Sequence, residues 1–274
     1  FLEKPSLIDV KLGDHVSAEM AVMFSDIRGF TTMSEDMSPQ ENFDFVNTYL
    51  QMVSPIIQRY DGFIVKFLGD GMMAIFPYAV DDAVRAGIEK QRQVEAFNVE
   101  LSHKGLPPIQ VGIGIHTGHM MVGMIGEQMR MQGDAFSDNV NLTSRLEGLT
   151  KFYGISMIIS EETLLRLQKP VRYQMRYLGK AQVKGREHPI SLYEVYEGAT
   201  ENVRARRQQT KADFERGLKA YISGKFTEAV TSFQTVLSQD PDDKTAALYL
   251  EHATAMLGQP VPDNWDGVEV MTSK

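Results

Sequence analysis

The strongest constraint on the fold lies at residues 63–77, FIVKFLGDGMMAIFP, where two apolar runs flank Gly69-Asp70-Gly71. Such runs, separated by a glycine-bounded tip, predict an antiparallel hairpin with a carboxylate at its turn. A helical pattern stands on each side. Upstream, Ser38-Pro39-Gln40-Glu41 reads as a helix start, with Ser38 as N-cap, Pro39 at the first helical position and Glu41 closing a capping box. Phe43, Val46, Leu50, Val53, Ile57 and Tyr60 follow at steps of three and four, which predicts one buried stripe ending at Asp61-Gly62. Downstream, residues 81–98 read as a second helix.

Flanking strands complete the order. The apolar run at 20–24 predicts a strand over 19–26, and IQVGIGIHTG at 109–118 predicts another, extended past a turn by 120–125. Strand, helix, hairpin, helix, strand is the opening of an α+β fold with a ferredoxin-like βαββαβ core and helices on one face. Beyond it, residues 128–136 read as polar and flexible, 137–149 as a helix, 157–160 as a strand and 161–167 as a short helix. Strands at 173–178 and 190–196 flank Val183-Lys184-Gly185-Arg186.

After Gly198 the chain reads as wholly helical. Gly224, Ala229, Phe233 and Pro241 have the spacing of a tetratricopeptide repeat, Asp240-Pro241-Asp242 fits an interhelix turn, and Leu248 and Leu250 begin a further helix. A plain helical hairpin cap accounts for the same spacing. Units of this kind bury their apolar faces by stacking, so the tail packs on the main domain or on a protein partner. The charged runs at 204–207 and 240–243 read as solvated faces or turns. The expected organisation is a lead-in at 1–17, a main domain at 18–198 and a helical, tetratricopeptide-like tail at 199–274.

Composition narrows the chemistry. With no cysteine in 274 residues, disulfides, thiolate metal sites and cysteine nucleophiles are excluded. A net charge of −8 argues against a nucleic acid polymer as partner, though a nucleotide carried with a divalent cation remains compatible. No apolar run is long enough to span a bilayer, and the chain begins at Phe1 rather than methionine. The expectation is a cytoplasmic domain from a longer protein, with a regulatory domain upstream and room for a membrane tether elsewhere.

Residues 24–31, FSDIRGFT, place Asp26 at a strand end just before Gly29 and Thr31 open a helix. A carboxylate beside glycine-opened backbone N–H groups can hold a metal ion and a polyphosphate together. If the hairpin lies beside this strand, Asp26 and Asp70 face each other and can bind two Mg²⁺ ions for in-line attack on phosphorus. Either aspartate taken singly is equally explained as a turn residue.

FSDIRGFT, VKFLGDGMMAIF, GDAFSDNVNLTSR at 133–145 and VKG at 183–185 together resemble the class III nucleotidyl cyclases, the adenylate and guanylate cyclase catalytic domains, over residues 18–197. The resemblance implies conversion of ATP to 3′,5′-cyclic AMP and pyrophosphate with Mg²⁺ or Mn²⁺, two per site. It implies Asp26, Asp70 and the main-chain carbonyl of Ile27 as metal ligands. Gly29, Phe30 and Thr31 would bind the β- and γ-phosphates, Asn141 would orient the ribose, and Arg145 would stabilise charge on the α-phosphate. Lys184 would hold the terminal phosphates, with Arg186 as a helper. Two positions read the base, here Lys66 and Asp134, with Asp138 as a rival register. Lysine donates and aspartate accepts, which fits adenine N1 and N6 and mismatches guanine at both. Many bacterial relatives carry threonine in place of the aspartate, and lysine with aspartate resembles the animal adenylate cyclase pattern.

The family further implies a head-to-tail homodimer with shared sites. The expectation sets Asp26, Asp70 and Lys66 on one chain and Asp134, Asn141, Arg145 and Lys184 on its partner. His116 reads as a strand residue near the core or the dimer seam, and the methionines at 120, 121, 124, 129 and 131 as an adaptable packing arm. Guanylate cyclase and an inactive nucleotide-binding module are the alternatives. A diguanylate cyclase would carry a Gly-Gly-Asp/Glu-Glu-Phe turn where this chain has Leu68-Gly69-Asp70-Gly71.

Overall fold

The computed structural model describes residues 12–127, 130–184, 186 and 188–270. Most of the expected lead-in (1–11), together with Gln128, Met129 and Gly185, lies outside them. Among the described residues one sheet holds β1 (His15–Ile27), β2 (Phe63–Leu68), β3 (Gly71–Phe76), β4 (Val111–Glu127), β5 (Arg130–Phe136), β6 (Met157–Ser160), β7 (Met175–Gln182), β8 (Ile190–Val195) and β9 (Glu269–Val270). The order is β2-β3-β1-β4-β6-β8-β7-β9, with β5 paired to β4 off this path. Helices are α1 (Phe30–Glu35), α2 (Pro39–Arg59), α3 (Val80–His103), α4 (Asp138–Tyr153), α5 (Glu161–Leu165), α6 (Glu201–Ile222), α7 (Phe226–Gln239) and α8 (Lys244–Ala255). No helix among the described residues is long and apolar enough to cross a membrane.

The α+β βαββαβ core is present. β2 and β3 form the hairpin, with Leu68 opposite Gly71, and β3 pairs antiparallel with β1. Helix α2 begins as its sequence requires: Ser38 Oγ accepts from Glu41 N and the Glu41 carboxylate accepts from Ser38 N, a reciprocal cap contributing about 1 kcal/mol. Helices α2 and α3 cover one face of the sheet, where Tyr49, Val53, Ile57, Ala83 and Val84 pack on Ala21, Met23, Ile113 and Ile115. The opposite face gathers Met20, Val22, Met73, Ile75, Met120 and Val122 under Ala135 of β5 and Val140 of α4.

Several expectations need correction. β1 starts at His15, because residues 15–19 alternate in exposure and pair with β4, His15 opposite Gly123. The α2 stripe includes the fully buried Tyr49, whereas Phe43, on the first turns beyond the sheet, is 65% exposed. β4 runs unbroken through Gly118: the glycine admits Asn139, whose Nδ2 would lie 2.4 Å from an added β-carbon, and makes no turn. The stretch read as flexible is strand β5, antiparallel to β4 with Met121 opposite Phe136. α8 begins at Lys244, capped by Asp243, well before Leu248.

The tail is not wholly helical, since β9 joins the sheet edge beside β7. It docks on the main domain: Phe214, Phe233 and Tyr249 share a core with Leu142, Leu146 and Tyr153 of α4 and with Leu178 and Leu192. Residues 240–243 do form the turn between α7 and α8, with Asp242 exposed, but three charges of the two runs are not solvated. Arg207, Asp240 and Asp243 are buried and form an ion network with Arg176 and Glu194 of the sheet.

Candidate active site

The sheet order brings the two glycine-flanked carboxylates together. Asp26 is the penultimate residue of β1, the β2–β3 turn carries Asp70, and β3 is the neighbour of β1. Asp70 Oδ2 accepts from Ile27 N at 3.1 Å. A β-carbon at Gly71 would lie 2.7 Å from Asp26 Oδ1 and 2.9 Å from Ser25 O, so only glycine lets the turn close on the strand. Asp26 keeps an exposed edge, but partial withdrawal from water, then the Asp70 charge and its hydrogen bond, and then Glu147 push its carboxyl up to about 7. Gly29 takes φ 66° and opens α1, leaving Thr31 exposed and Phe30 buried against Phe45, ring centroids 5.8 Å apart.

Beneath this corner lies a set that the motifs did not single out. Lys90 is fully buried in α3, donates to Ser25 Oγ and sits 5.5 Å from the Tyr49 ring centroid. Burial pulls its ammonium down to about 7, with the Asp26 carboxylate opposing the shift. A signal for it existed: Lys90 stands inside the apolar stripe Ala83, Ala86, Val94, Phe97, Leu101, where a solvated lysine has no place. Glu147 of α4 also faces the corner, and burial first, then Asp70, raises its pKa. It gets there because β4 offers glycines: a β-carbon at Gly112 would lie 2.4 Å from Glu147 Oε1, and one at Gly114 would lie 2.3 Å from Glu147 N. Arg28 donates through Nη2 to the carbonyls of Thr150 and Ile155, tying the end of β1 to the end of α4.

Lys66 and Asp134, the two positions expected to read the base, lie together within one chain. Lys66 Nζ of β2 donates to both oxygens of Asp134 on β5, at 2.8 and 2.9 Å, and Asp134 Oδ1 also accepts from Ala135 N at 2.8 Å. The expectation that the pair divides between two chains is therefore corrected: β5 folds back along β4 and carries Asp134 over β2. The rival Asp138 is instead held by Arg186, at 2.9 Å.

Asn141 and Arg145 follow one turn apart on α4. Asn141 is exposed, and Arg145 Nη1 is buried without a hydrogen-bond partner among the described residues. The charged groups that act on Asp26 include Asp70, Glu147 and Lys90. Lys184 is exposed on the turn after β7. Arg186 does not stand free beside it, since it also donates to Asn139 Oδ1 at 3.1 Å. His116 is a buried strand residue bonded to Ser160 Oγ and Asn139 Oδ1, and burial lowers its pKa.

Residues 14–196 match the family model described as the adenylate and guanylate cyclase catalytic domain. An adenylate cyclase of Anabaena cylindrica is 40% identical over 193 residues, 68% of this chain and 38% of that protein. A terminal-differentiation-specific adenylate cyclase of Dictyostelium discoideum is 32% identical over 249 residues, 89% of this chain and 12% of its own length. The chain thus spans well under half the length of these curated relatives. Among solved structures, the adenylyl cyclase CyaB from P. aeruginosa superposes with a TM-score of 0.60 at 32% identity, over 66% of this chain and 95% of that one. The guanylyl cyclase Cya2 gives 0.58 at 30% identity, over 66% and 92%.

Proposed function

Since the chain belongs to the family of adenylate and guanylate cyclase catalytic domains, we propose that it forms the catalytic portion of an adenylate cyclase, converting ATP to 3′,5′-cyclic AMP and pyrophosphate. The family contains both nucleotide choices, so the reading rests on the Lys66–Asp134 pair. Their salt bridge fixes a donor beside an acceptor. Adenine takes a hydrogen bond at N1 from Lys66 and gives one from N6 to Asp134. Guanine presents a donor and an acceptor in the opposite order, which leaves both side chains facing their own kind.

Asp26 and Asp70, with the Ile27 carbonyl, would hold Mg²⁺ or Mn²⁺, two per site. The fit is chemical: two neighbouring carboxylates with one held up to about 7 are short of positive charge, and oxygen donors suit these hard ions. When bound, the ions lower the pKa of the ribose 3′-OH and offset charge on the departing pyrophosphate. The chain's own groups do the positioning. N–H groups of Gly29, Phe30 and Thr31 meet the β- and γ-phosphates, and Lys184 grips their end. Asn141 sets the ribose so that O3′ lies in line with the bond from the α-phosphorus to the leaving oxygen. As O3′ gives up its proton to solvent water and bonds to phosphorus, the bond to the leaving oxygen breaks, and the unpartnered Arg145 Nη1 receives the charge developing on the α-phosphate.

The site is shared across a head-to-tail homodimer. Arg145 Nη1 is buried with no hydrogen-bond partner among the described residues of its own chain, which supports a role toward a group supplied from outside it. The test of the reaction is product formation from ATP and GTP in parallel, with Mg²⁺ or Mn²⁺. Wild type is expected to favour ATP by about 100-fold, and Lys66→Glu to lose most of that preference. A wild type that favours GTP contradicts the reading, and a folded wild type that forms neither cyclic nucleotide favours an inactive nucleotide-binding module.

A further inference from the structure

β9 reaches the sheet from the far end of the helical tail and pairs in parallel with the end of β7, Ala181 opposite Glu269 and Gln182 opposite Val270. The next residues of β7's chain are Val183 and Lys184. Three features hold β9 in place. The buried Glu269 carboxylate accepts from the Tyr221 hydroxyl of α6 at 3.1 Å and lies 3.2 Å from His252 Nδ1 of α8. Trp265 Nε1 donates to Tyr221 O at 2.9 Å, and its ring meets Tyr221 and Phe226 edge-on. Gly267 adopts φ 67° where an added β-carbon would lie 2.9 Å from Ile222 Cα, so the chain passes over the end of α6 only as glycine.

The turn that follows β7 is braced from its other side. Gln182 Nε2 donates to Arg186 O, Arg186 N donates to Val183 O, and the Arg186 guanidinium bonds Asp138 and Asn139 at the start of α4. Lys184 therefore projects from a short turn clamped between α4 and β9, and its own side chain is exposed. Without β9, β7 would be an edge strand whose last residues lose one neighbour.

We propose that β9, through Glu269 and Gly267, is a positioning element of the nucleotide site, aligning Lys184 for the terminal phosphates and so making the helical tail part of the substrate-binding apparatus. This rests on the reading of Lys184 as a phosphate ligand. It extends the site beyond residues 14–196, the span matched by the family model. The similarity to the Dictyostelium cyclase, covering 89% of this chain, also runs past that span into the tail.

The test combines kinetics with amide hydrogen exchange on the full chain. Glu269→Ala and Gly267→Ala are expected to raise KM for ATP about fivefold with kcat changed less than twofold, since a displaced binding group weakens alignment without touching the α-phosphate chemistry. Glu269→Gln, which keeps an acceptor for Tyr221, should restore most of the affinity. The ATP over GTP preference should not move, because Lys66 and Asp134 lie elsewhere. In a Lys184→Ala background, Glu269→Ala should add little further. Amides of Val183, Lys184 and Arg186 should exchange faster in Glu269→Ala without nucleotide. An unchanged KM, an equal KM rise in the Lys184→Ala background, or unaltered exchange at these amides overturns the proposal. Because exchange is read without turnover, a wild type lacking cyclase activity would sink the functional reading and leave the positioning claim to be decided by exchange alone.

Discussion

In the corner that Asp26 shares with Asp70, partial burial, then the Asp70 carboxylate, then Glu147 disfavour ionisation of Asp26. A consequence can be read by denaturation. Asp26 binds its proton more tightly in the folded chain than in the unfolded one, where its value is 3.8, so its contribution to stability is present at low pH and lost as pH rises toward about 7. In metal-free buffer, Asp26→Asn should gain stability relative to wild type across that window, and Mg²⁺ should erase the gain by stabilising wild type alone. A constant difference from pH 4 to pH 8 would show that folding does not raise the Asp26 carboxyl. Arg145→Ala should lower kcat by 100-fold or more, a loss of about 3 kcal/mol, with KM nearly unchanged in steady-state assays. Asp70 was legible because Gly69 and Gly71 mark a tight strand end, and Asp26 because Gly29 follows shortly after an apolar strand run. Lys90 was legible in principle as a cation inside an apolar stripe. Glu147 was not, because its place depends on how closely α4 approaches β4, which nothing near Glu147 in the sequence specifies.

That approach belongs to the helices and strands. Gly112, Gly114 and Gly118 form a groove along β4 into which α4 settles, carrying Asn141, Arg145 and Glu147 with it. Read as sequence, the last of these glycines, Gly118, suggested a turn, because a strand glycine that admits a helix and a glycine that bends a chain look alike until the partner is known. Gly114→Ala would set a β-carbon 2.3 Å from Glu147 N, so α4 must lift. It should destabilise the chain by about 1–3 kcal/mol in urea unfolding and lower kcat by moving Arg145. The hairpin and the α2 cap were legible because their determinants are local. β5 was not: its polar residues are stabilised by pairing with β4 and by the Lys66–Asp134 bridge, both contacts between segments distant in sequence.

The molecule as a whole is tied together by charges that the sequence presented as surface runs. Arg176 is wholly buried and bonds Glu194 and Asp243, while Arg207 bonds Asp240 and Asp243, so tail and sheet share one ion network. Removing one member leaves buried charge uncompensated: Arg176→Ala should cost about 3–5 kcal/mol by urea unfolding. A similar loss from removing a fully exposed charge such as Lys104 would argue against the network as the cause. The dimer has the largest claim on the function, and mixing two defective chains reads it directly. Asp26→Ala and Arg145→Ala should each keep about 1% of wild-type activity or less alone. Mixed in equal amounts, half of the dimers are hybrids with one intact site in two, so cyclic AMP formation should return to about a quarter of wild type. If the mixture of folded chains stays at about 1% or less, the shared site and the roles given to Asp26 and Arg145 are contradicted.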